Sequence, residues 1–219
     1  MIKNFSCVFL ILFFSSCFSQ KKKEKDLLED YSVAHGKNNK SYRPISFGQR
    51  IKNYPFNKAS KIRIVSYNLD FAKNNGYEVP LAPPKTKEDS IKLNEFYNRP
   101  KSIDFREIIE TQSEKGIVES KALNLEEISK ISHIIYNTCE KYLITIRSQS
   151  GCFFPRNAIV FYDENDKVFE IMEICFECGN IESYPSNFID WESTCEFIYL
   201  ELEKFFKDKG LRTQYVKEN

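Results

Sequence analysis

Histidine is almost missing from this chain. Two occur, His35 and His133, in 219 residues. That leaves no donor set for a histidine-rich metal site and argues against most histidine-based catalysis. Glycine is also scarce, at seven, so little backbone is available for loops that cradle phosphate. The sequence carries no G-x-S-x-G, no H-E-x-x-H, no Walker loop and no dinucleotide fingerprint. No excess of one charge is present: 32 basic and 31 acidic residues give a net charge of +1. A nucleic-acid partner normally requires a basic field, and an anionic lipid surface attracts one, so neither is expected globally. Internal repeats and coiled-coil heptads are absent as well. No catalytic residue, metal ligand or cofactor is therefore assigned.

What the chain does have begins at its N-terminus. Lys3 precedes an apolar run from Phe5 to Phe14, then Ser15, Ser16 and Cys17, then Lys21, Lys22 and Lys23. A basic start, a short apolar helix and a small-residue exit are the layout of an export signal. The run is short of the roughly 20 residues that span a bilayer. Phe14-Ser15-Ser16-Cys17 reads as a lipobox, with residues 1–16 removed and Cys17 lipidated. Cleavage after Ser19 is the alternative and would give a soluble periplasmic or secreted protein. Residues 17–60 follow as a charged stretch without sustained periodicity, expected to be a flexible tether that holds His35 in a loop.

Residues 61–219 form one expected domain. Hydrophobic residues are 42% of the chain and aromatics 15%, enough for an aromatic-rich core. Ile62, Ile64, Ser66 and Asn68 alternate with Arg63, Val65 and Tyr67 as a strand. Thr86 caps a helix through Ile91, Leu93, Phe96 and Tyr97, stopped by Pro100. Phe105, Ile108 and Ile109 predict a helical turn, and Gly116-Ile117-Val118 a strand. Asn124 and Glu127 form a capping box for a helix with Leu125, Ile128, Ser132, Ile135 and Cys139 on one face. His133 falls off that stripe and is expected at the surface. Tyr142 to Ile146 reads as a further strand. Ala158 to Tyr162 and Val168 to Phe176 are two strands joined by a tight turn at Glu164-Asn165-Asp166-Lys167. Both are apolar on more than one face, so this hairpin belongs at the centre of an antiparallel sheet. A last helix, from about Glu192 to Lys207, carries Trp191, Cys195, Ile198, Leu202 and Phe205 on one face and ends at Gly210. The class is α+β: an antiparallel sheet with a cysteine-bearing central hairpin and helices packed on it.

Seven cysteines occur. With Cys7 in the leader and Cys17 lipidated, Cys139, Cys152, Cys175, Cys178 and Cys195 remain, an odd number for an oxidising compartment. Folding the hairpin brings Cys152 opposite the region of Cys178, within disulfide reach, with Cys175 as the other possible partner. Cys139 and Cys195 either bridge two helices or pack as buried thiols. The pair Cys175-x-x-Cys178 also spells a thiol–disulfide redox motif, the alternative function. Such motifs work at a helix N-terminus, and this one closes a strand. A metal site from Cys152, Cys175 and Cys178 lacks a fourth ligand. Glu170, Glu173 and Glu177 read as a solvated acidic face. Arg156, at the hairpin mouth, is a candidate contact for a ligand carboxylate, beside the plainer reading of an internal salt bridge.

The strings Cys152-Phe153-Phe154-Pro155-Arg156-Asn157-Ala158-Ile159, Phe161-Tyr162 and Ile174-Cys175-Phe176-Glu177-Cys178, a C-x-x-P-R-x-A-I…F-Y…I-C-F-x-C pattern, resemble a motif in uncharacterised secreted proteins and lipoproteins of Gram-negative bacteria. The stretch from Cys195 to Gly210 resembles them too. Some members carry histidine just after the proline, where this chain has Arg156 and Asn157. The resemblance implies a compartment and a domain type and no reaction. The expectation is an exported cell-envelope lipoprotein, a non-enzymatic binding or support module. Its partners would be the membrane, through a lipid on Cys17, and an unknown protein or small-molecule ligand.

Overall fold

The residue pattern that alternates most strongly becomes the middle of the sheet. In the computed structural model the described residues are 39–71, 83–98, 102–141, 152–189 and 194–215. They belong to one compact unit, Gly36–Asn219. The expected leader, Cys17, the first half of the tether, the strand Tyr142–Ile146 and Trp191 lie outside the described residues. So do the side chains of Phe96 and Tyr97.

The elements are α1 (Phe47–Arg50), β1 (Lys61–Tyr67), α2 (Lys87–Asn98), α3 (Glu107–Thr111), β2 (Ile117–Ala122), α4 (Leu125–Asn137), a 3-10 turn (Cys139–Lys141), β3 (Asn157–Tyr162), β4 (Val168–Cys175), β5 (Asn180–Tyr184) and α5 (Glu196–Asp208). Five strands pair antiparallel in the order β2-β1-β3-β4-β5. The β3–β4 hairpin thus lies inside the sheet, and every residue of β3 is buried. Its turn works because Asp166 adopts φ +62°, a conformation Asp tolerates. Asp163 Oδ1 also accepts the amides of Asn165 and Lys167, both at 2.9 Å.

Pairing fixes which side chains share a face. Val65, Tyr67, Ala158, Val160 and Ile171 cluster with Phe105 and Ile108, so the segment leading into α3 covers this face. The opposite face presents Ile159 and Phe161. Phe56 packs edge-on against Phe161 at 5.3 Å, and Tyr136 of α4 lies 5.8 Å from Phe56. Burying each such aromatic side chain contributes about 1.5–3 kcal/mol. The residues after α5 reach the same side: Ser66 Oγ and Asn157 Nδ2 both donate to the Arg212 carbonyl, at 2.8 and 2.9 Å.

Residues 39–60, read in sequence as the end of the tether, are part of this unit. Arg50 is 5% and Phe56 6% exposed. Arg50 donates to Ser132 Oγ at 3.1 Å and to the Ser129 carbonyl at 3.1 Å on α4. The segment is fastened by an arginine that fills carbonyl and hydroxyl acceptors, so polar composition conceals its docking.

The capping box of α4 is present, with Glu127 N donating to Asn124 Oδ1 and Asn124 N to Glu127 Oε2, each at 2.9 Å. Ile131, Ile134 and Ile135 are buried, but Leu125 is 69% exposed. It occupies the first helical position, where the chain has not yet turned onto the sheet. His133 is exposed, as its place off the stripe implied. On α5 Ile198, Leu202 and Phe205 are buried, with Phe197 and Phe206 widening the stripe. Cys139 and Cys195 form a disulfide, Cα–Cα 5.5 Å, tying the turn after α4 to the N-terminus of α5. A second disulfide joins Cys152 to Cys178, Cα–Cα 5.8 Å. Two disulfides mark an oxidising, extracytoplasmic setting. Among the described residues no helix is long and apolar enough to cross a membrane.

Candidate functional site

Where β1 ends, Asn68 turns the chain at φ +52°, a left-handed conformation that asparagine adopts more readily than most residues. Its side-chain amide then grips the backbone of Ile103 from both sides. Nδ2 donates to the Ile103 carbonyl at 3.1 Å, and Oδ1 accepts the Ile103 amide at 2.9 Å. This lays residues 102–106 across the end of the sheet. Asp104 Oδ1 accepts the Arg106 amide at 3.0 Å, turning the chain into α3.

Arg106 consequently faces β4 and β5. Its Nε donates to Glu173 Oε2 at 3.1 Å and its Nη2 to Glu182 Oε2 at 2.5 Å. The other oxygen of Glu173 accepts the Tyr67 hydroxyl at 2.7 Å. Tyr67 is wholly buried and stacks on Phe105 at 4.3 Å. Above this chain of hydrogen bonds opens a cleft of about 400 Å³, lined by Asn68, Asp104, Arg106, Glu173 and the half-buried rings of Phe153 and Phe154. That volume falls in the range that holds small molecules, roughly 300–1,000 Å³.

Electrostatics follow from the depth of each group. Burial pushes the Glu173 carboxyl above its ordinary value, against the pull of Tyr67 and Arg106. Burial and the neighbouring Glu173 carboxylate push the Tyr67 phenol well up, so it stays a neutral donor. Burial works against the Arg106 charge, but Glu173 and Glu182 outweigh it and raise its pKa. Perturbed groups at the floor of a cleft are the usual sign of a functional site. Both Glu173 oxygens already hold partners, so the arrangement is a rigid, charged floor rather than an acid–base pair awaiting substrate.

The residues singled out in sequence are distributed around this floor. Arg156, the candidate ligand contact, is 2% exposed and committed internally. Its Nη1 donates to the carbonyls of Asn68 and of Phe71, the latter at 2.7 Å. Its Nε lies 3.3 Å from Glu177 Oε1, and its guanidinium sits 4.9 Å from the centre of the Phe154 ring. It supports the cleft from behind and is not open to a ligand. Cys178 bridges to Cys152, which pins the Phe153-Phe154 wall to the end of β4. Cys175 takes part in neither disulfide and is 1% exposed. The Cys178 amide donates to the Cys175 carbonyl at 3.2 Å, closing a turn instead of opening a helix. A redox motif would need these two cysteines bonded to each other and open to solvent. Among the described residues no group of three or more histidine, cysteine, aspartate or glutamate side chains gathers as a metal site.

The acidic face is corrected by the structure. Glu170 and Glu173 are 0% and 3% exposed. Three positions apart on an alternating strand, they project to opposite faces. Each is buried against a tyrosine hydroxyl, Tyr54 for Glu170 and Tyr67 for Glu173. Sequence reasoning read Tyr67 and Asn68 as strand residues only, and singled out neither Asp104 nor Arg106. Asn68, read in sequence as part of the strand, instead follows its last residue and turns the chain, because asparagine tolerates the left-handed conformation that leaves the sheet. No family model, curated protein or solved structure matches the chain.

Proposed function

We propose that this protein is an exported, non-enzymatic binding module of the bacterial cell envelope, tethered by a lipid on Cys17. It takes a small ligand in the cleft at the end of β1. The observation that carries the reading is a polar cleft whose floor carboxylate, Glu173, is 3% exposed and held by both Tyr67 and Arg106. A floor fixed on both oxygens is preorganised for recognition, which lowers the ordering cost of binding. Disulfide stapling of the adjacent wall supports the same reading, because it limits how far Phe153 and Phe154 can move.

The anchoring part is supported by the Phe14-Ser15-Ser16-Cys17 string, by the resemblance of the hairpin strings to uncharacterised secreted proteins and lipoproteins of Gram-negative bacteria and by the oxidising setting that two disulfides mark. It is tested on protein recovered from the membranes of a Gram-negative host. Its mass should include a lipid on Cys17, and Cys17→Ala should abolish it. A mature chain starting at Gln20 without lipid mass overturns the anchor. The binding part is tested by screening charged and uncharged aromatic fragments by NMR. Binders should shift the amides of Ile103, Phe105 and Arg106. A screen in which no fragment moves them overturns the binding site.

A further inference from the structure

We propose that the cleft selects a cation, the ammonium or guanidinium group of a small ligand, seated between Asp104 and the Phe153–Phe154 wall. This rests on the reading of the cleft as a binding site and assigns the class of ligand.

Charge is the first argument. Two carboxylates, Asp104 and Glu173, line the cleft with one guanidinium, that of Arg106, which Glu182 also holds from beside the cleft. Nε and Nη2 of Arg106 are taken by Glu173 and Glu182, and no other basic residue lines the cleft among the described residues. Asp104 is the surplus. It is exposed, and its Oδ1 contact is to a backbone amide that carries no neutralising charge. It lies near enough to help push the Glu173 carboxyl and the Tyr67 phenol upward. A concave site with surplus negative charge and low-dielectric walls concentrates cations and repels anions.

The wall is the second argument. Aromatic faces attract cations lying within about 6 Å of the ring centre. Phe154 already holds the Arg156 guanidinium at 4.9 Å on one side. Phe153 and Phe154 are half-buried, fixed by the Cys152–Cys178 bond, and leave ring surface in the cleft. Aromatic surface beside a carboxylate suits an ammonium or guanidinium attached to an apolar body. A bare metal ion gets no matching ligand set here.

Three probes of one shape separate the possibilities: benzylammonium, benzyl alcohol and benzoate, titrated into the full chain while cleft amides are followed by NMR. Benzylammonium should bind about tenfold more tightly than benzyl alcohol, a factor of the size one nearby carboxylate supplies at partly screened range. Benzoate should bind most weakly. Asp104→Asn should bring benzylammonium down to the level of benzyl alcohol, and Asp104→Glu should keep most of the preference. Asp104 is exposed, so these variants should fold, and a circular dichroism melt checks that. Equal or better binding of benzyl alcohol or benzoate overturns the cation assignment while leaving the cleft as a binding site. A cation preference unchanged in Asp104→Asn overturns it as well. No shift of cleft amides by any probe removes the binding site itself.

Discussion

Two glutamates on one strand, Glu170 and Glu173, meet the same problem with different surroundings. Both come from β4, both are almost fully buried and both accept a tyrosine hydroxyl. On its face Glu173 adds Arg106 at 3.1 Å and borders an open cleft. On the other face Glu170 has Tyr54 and the Ser186 amide, the latter at 3.4 Å, on Oε2. Its Oε1 is buried without a hydrogen-bond partner, and no cation contributes to its pKa. A buried carboxylate is tolerated when paired and otherwise shifts toward its neutral form. Burial raises both carboxyls, but Glu173 has a guanidinium that favours its charged form, whereas Glu170 has none. Under the function proposed above, the carboxylate at the cleft would serve recognition, whereas Glu170 bonds to Tyr54 and helps dock the N-terminal segment.

The largest expected effect comes from the staple that belongs to the Glu173 side alone. Cys152–Cys178 spans 26 residues, for which the chain-entropy model gives about 3.5 kcal/mol. That is a large share of the roughly 5–15 kcal/mol that holds a typical domain together. Cys152→Ala should lower the melting temperature markedly. Hydrogen exchange should then quicken around Phe153 and Arg156 and change little around Tyr54 and Phe188. Uniform quickening on both faces would erase the distinction drawn between them.

A smaller effect should follow from removing the cation. Loss of one partner from a buried ion pair costs about 3–5 kcal/mol. Arg106 is 40% exposed, so water screens part of the interaction and about 2 kcal/mol is expected for Arg106→Ala. The loss should grow with pH, because Glu173 then ionises without a counter-charge. The sign is that of a carboxyl raised in the folded state: its contribution is complete below the ordinary value of 4.5 and fades as pH rises through the raised one. Urea denaturation across this range checks it. An Arg106→Ala penalty that stays flat with pH would show that Glu173 does not depend on the guanidinium.

How much of this was legible in the sequence divides along physical lines. Local signals worked where the determining atoms are close in the chain. The capping box at Asn124 and Glu127, the turn at Glu164–Lys167 and the alternation of β3 and β4 each place their elements. The Cys152–Cys178 bond was readable because a hairpin folds its own ends together. The cleft was not, because Tyr67 and Glu173 stand 106 residues apart and Arg106 stands 67 from Glu173. No periodicity announces pairs so distant. The acidic face failed for a nearer reason. Glutamates spaced by three on a strand cannot share a face, and a carboxylate looks solvated until its buried partner is known. Docking of residues 39–60 stayed hidden because Arg50 is held by carbonyl and hydroxyl oxygens of α4, contacts that hydropathy does not record.

The smallest effect, and the sharpest test of the comparison, is Glu170→Gln set against Glu173→Gln. Burial raises the Glu170 carboxyl, with Tyr54 and Ser186 opposing, so folding favours its protonated form. The groups facing it are Tyr54 from the N-terminal segment and Ser186 after β5, with Lys58 one step removed over the Tyr54 ring at 5.4 Å. Stability from the protonated form is complete below the ordinary value of 4.5 and is lost as pH rises through the raised value. Glutamine is neutral at every pH and keeps a carbonyl for the Tyr54 hydroxyl. Glu170→Gln should therefore be close to wild type in acid and more stable by about 1 kcal/mol at mildly alkaline pH, the gain seen when a buried charge is replaced by a neutral group of similar volume. Glu173 is raised in the same sense, so Glu173→Gln should also escape the loss that wild type suffers as pH rises, but from a lower starting point, since it takes from Arg106 the carboxylate that Glu173 supplies. Melting temperatures of the three proteins across the same pH series decide it. Parallel curves for wild type and Glu170→Gln would mean that Glu170 titrates as an ordinary carboxyl, and the contrast between the two faces of β4 would then rest on Arg106 alone.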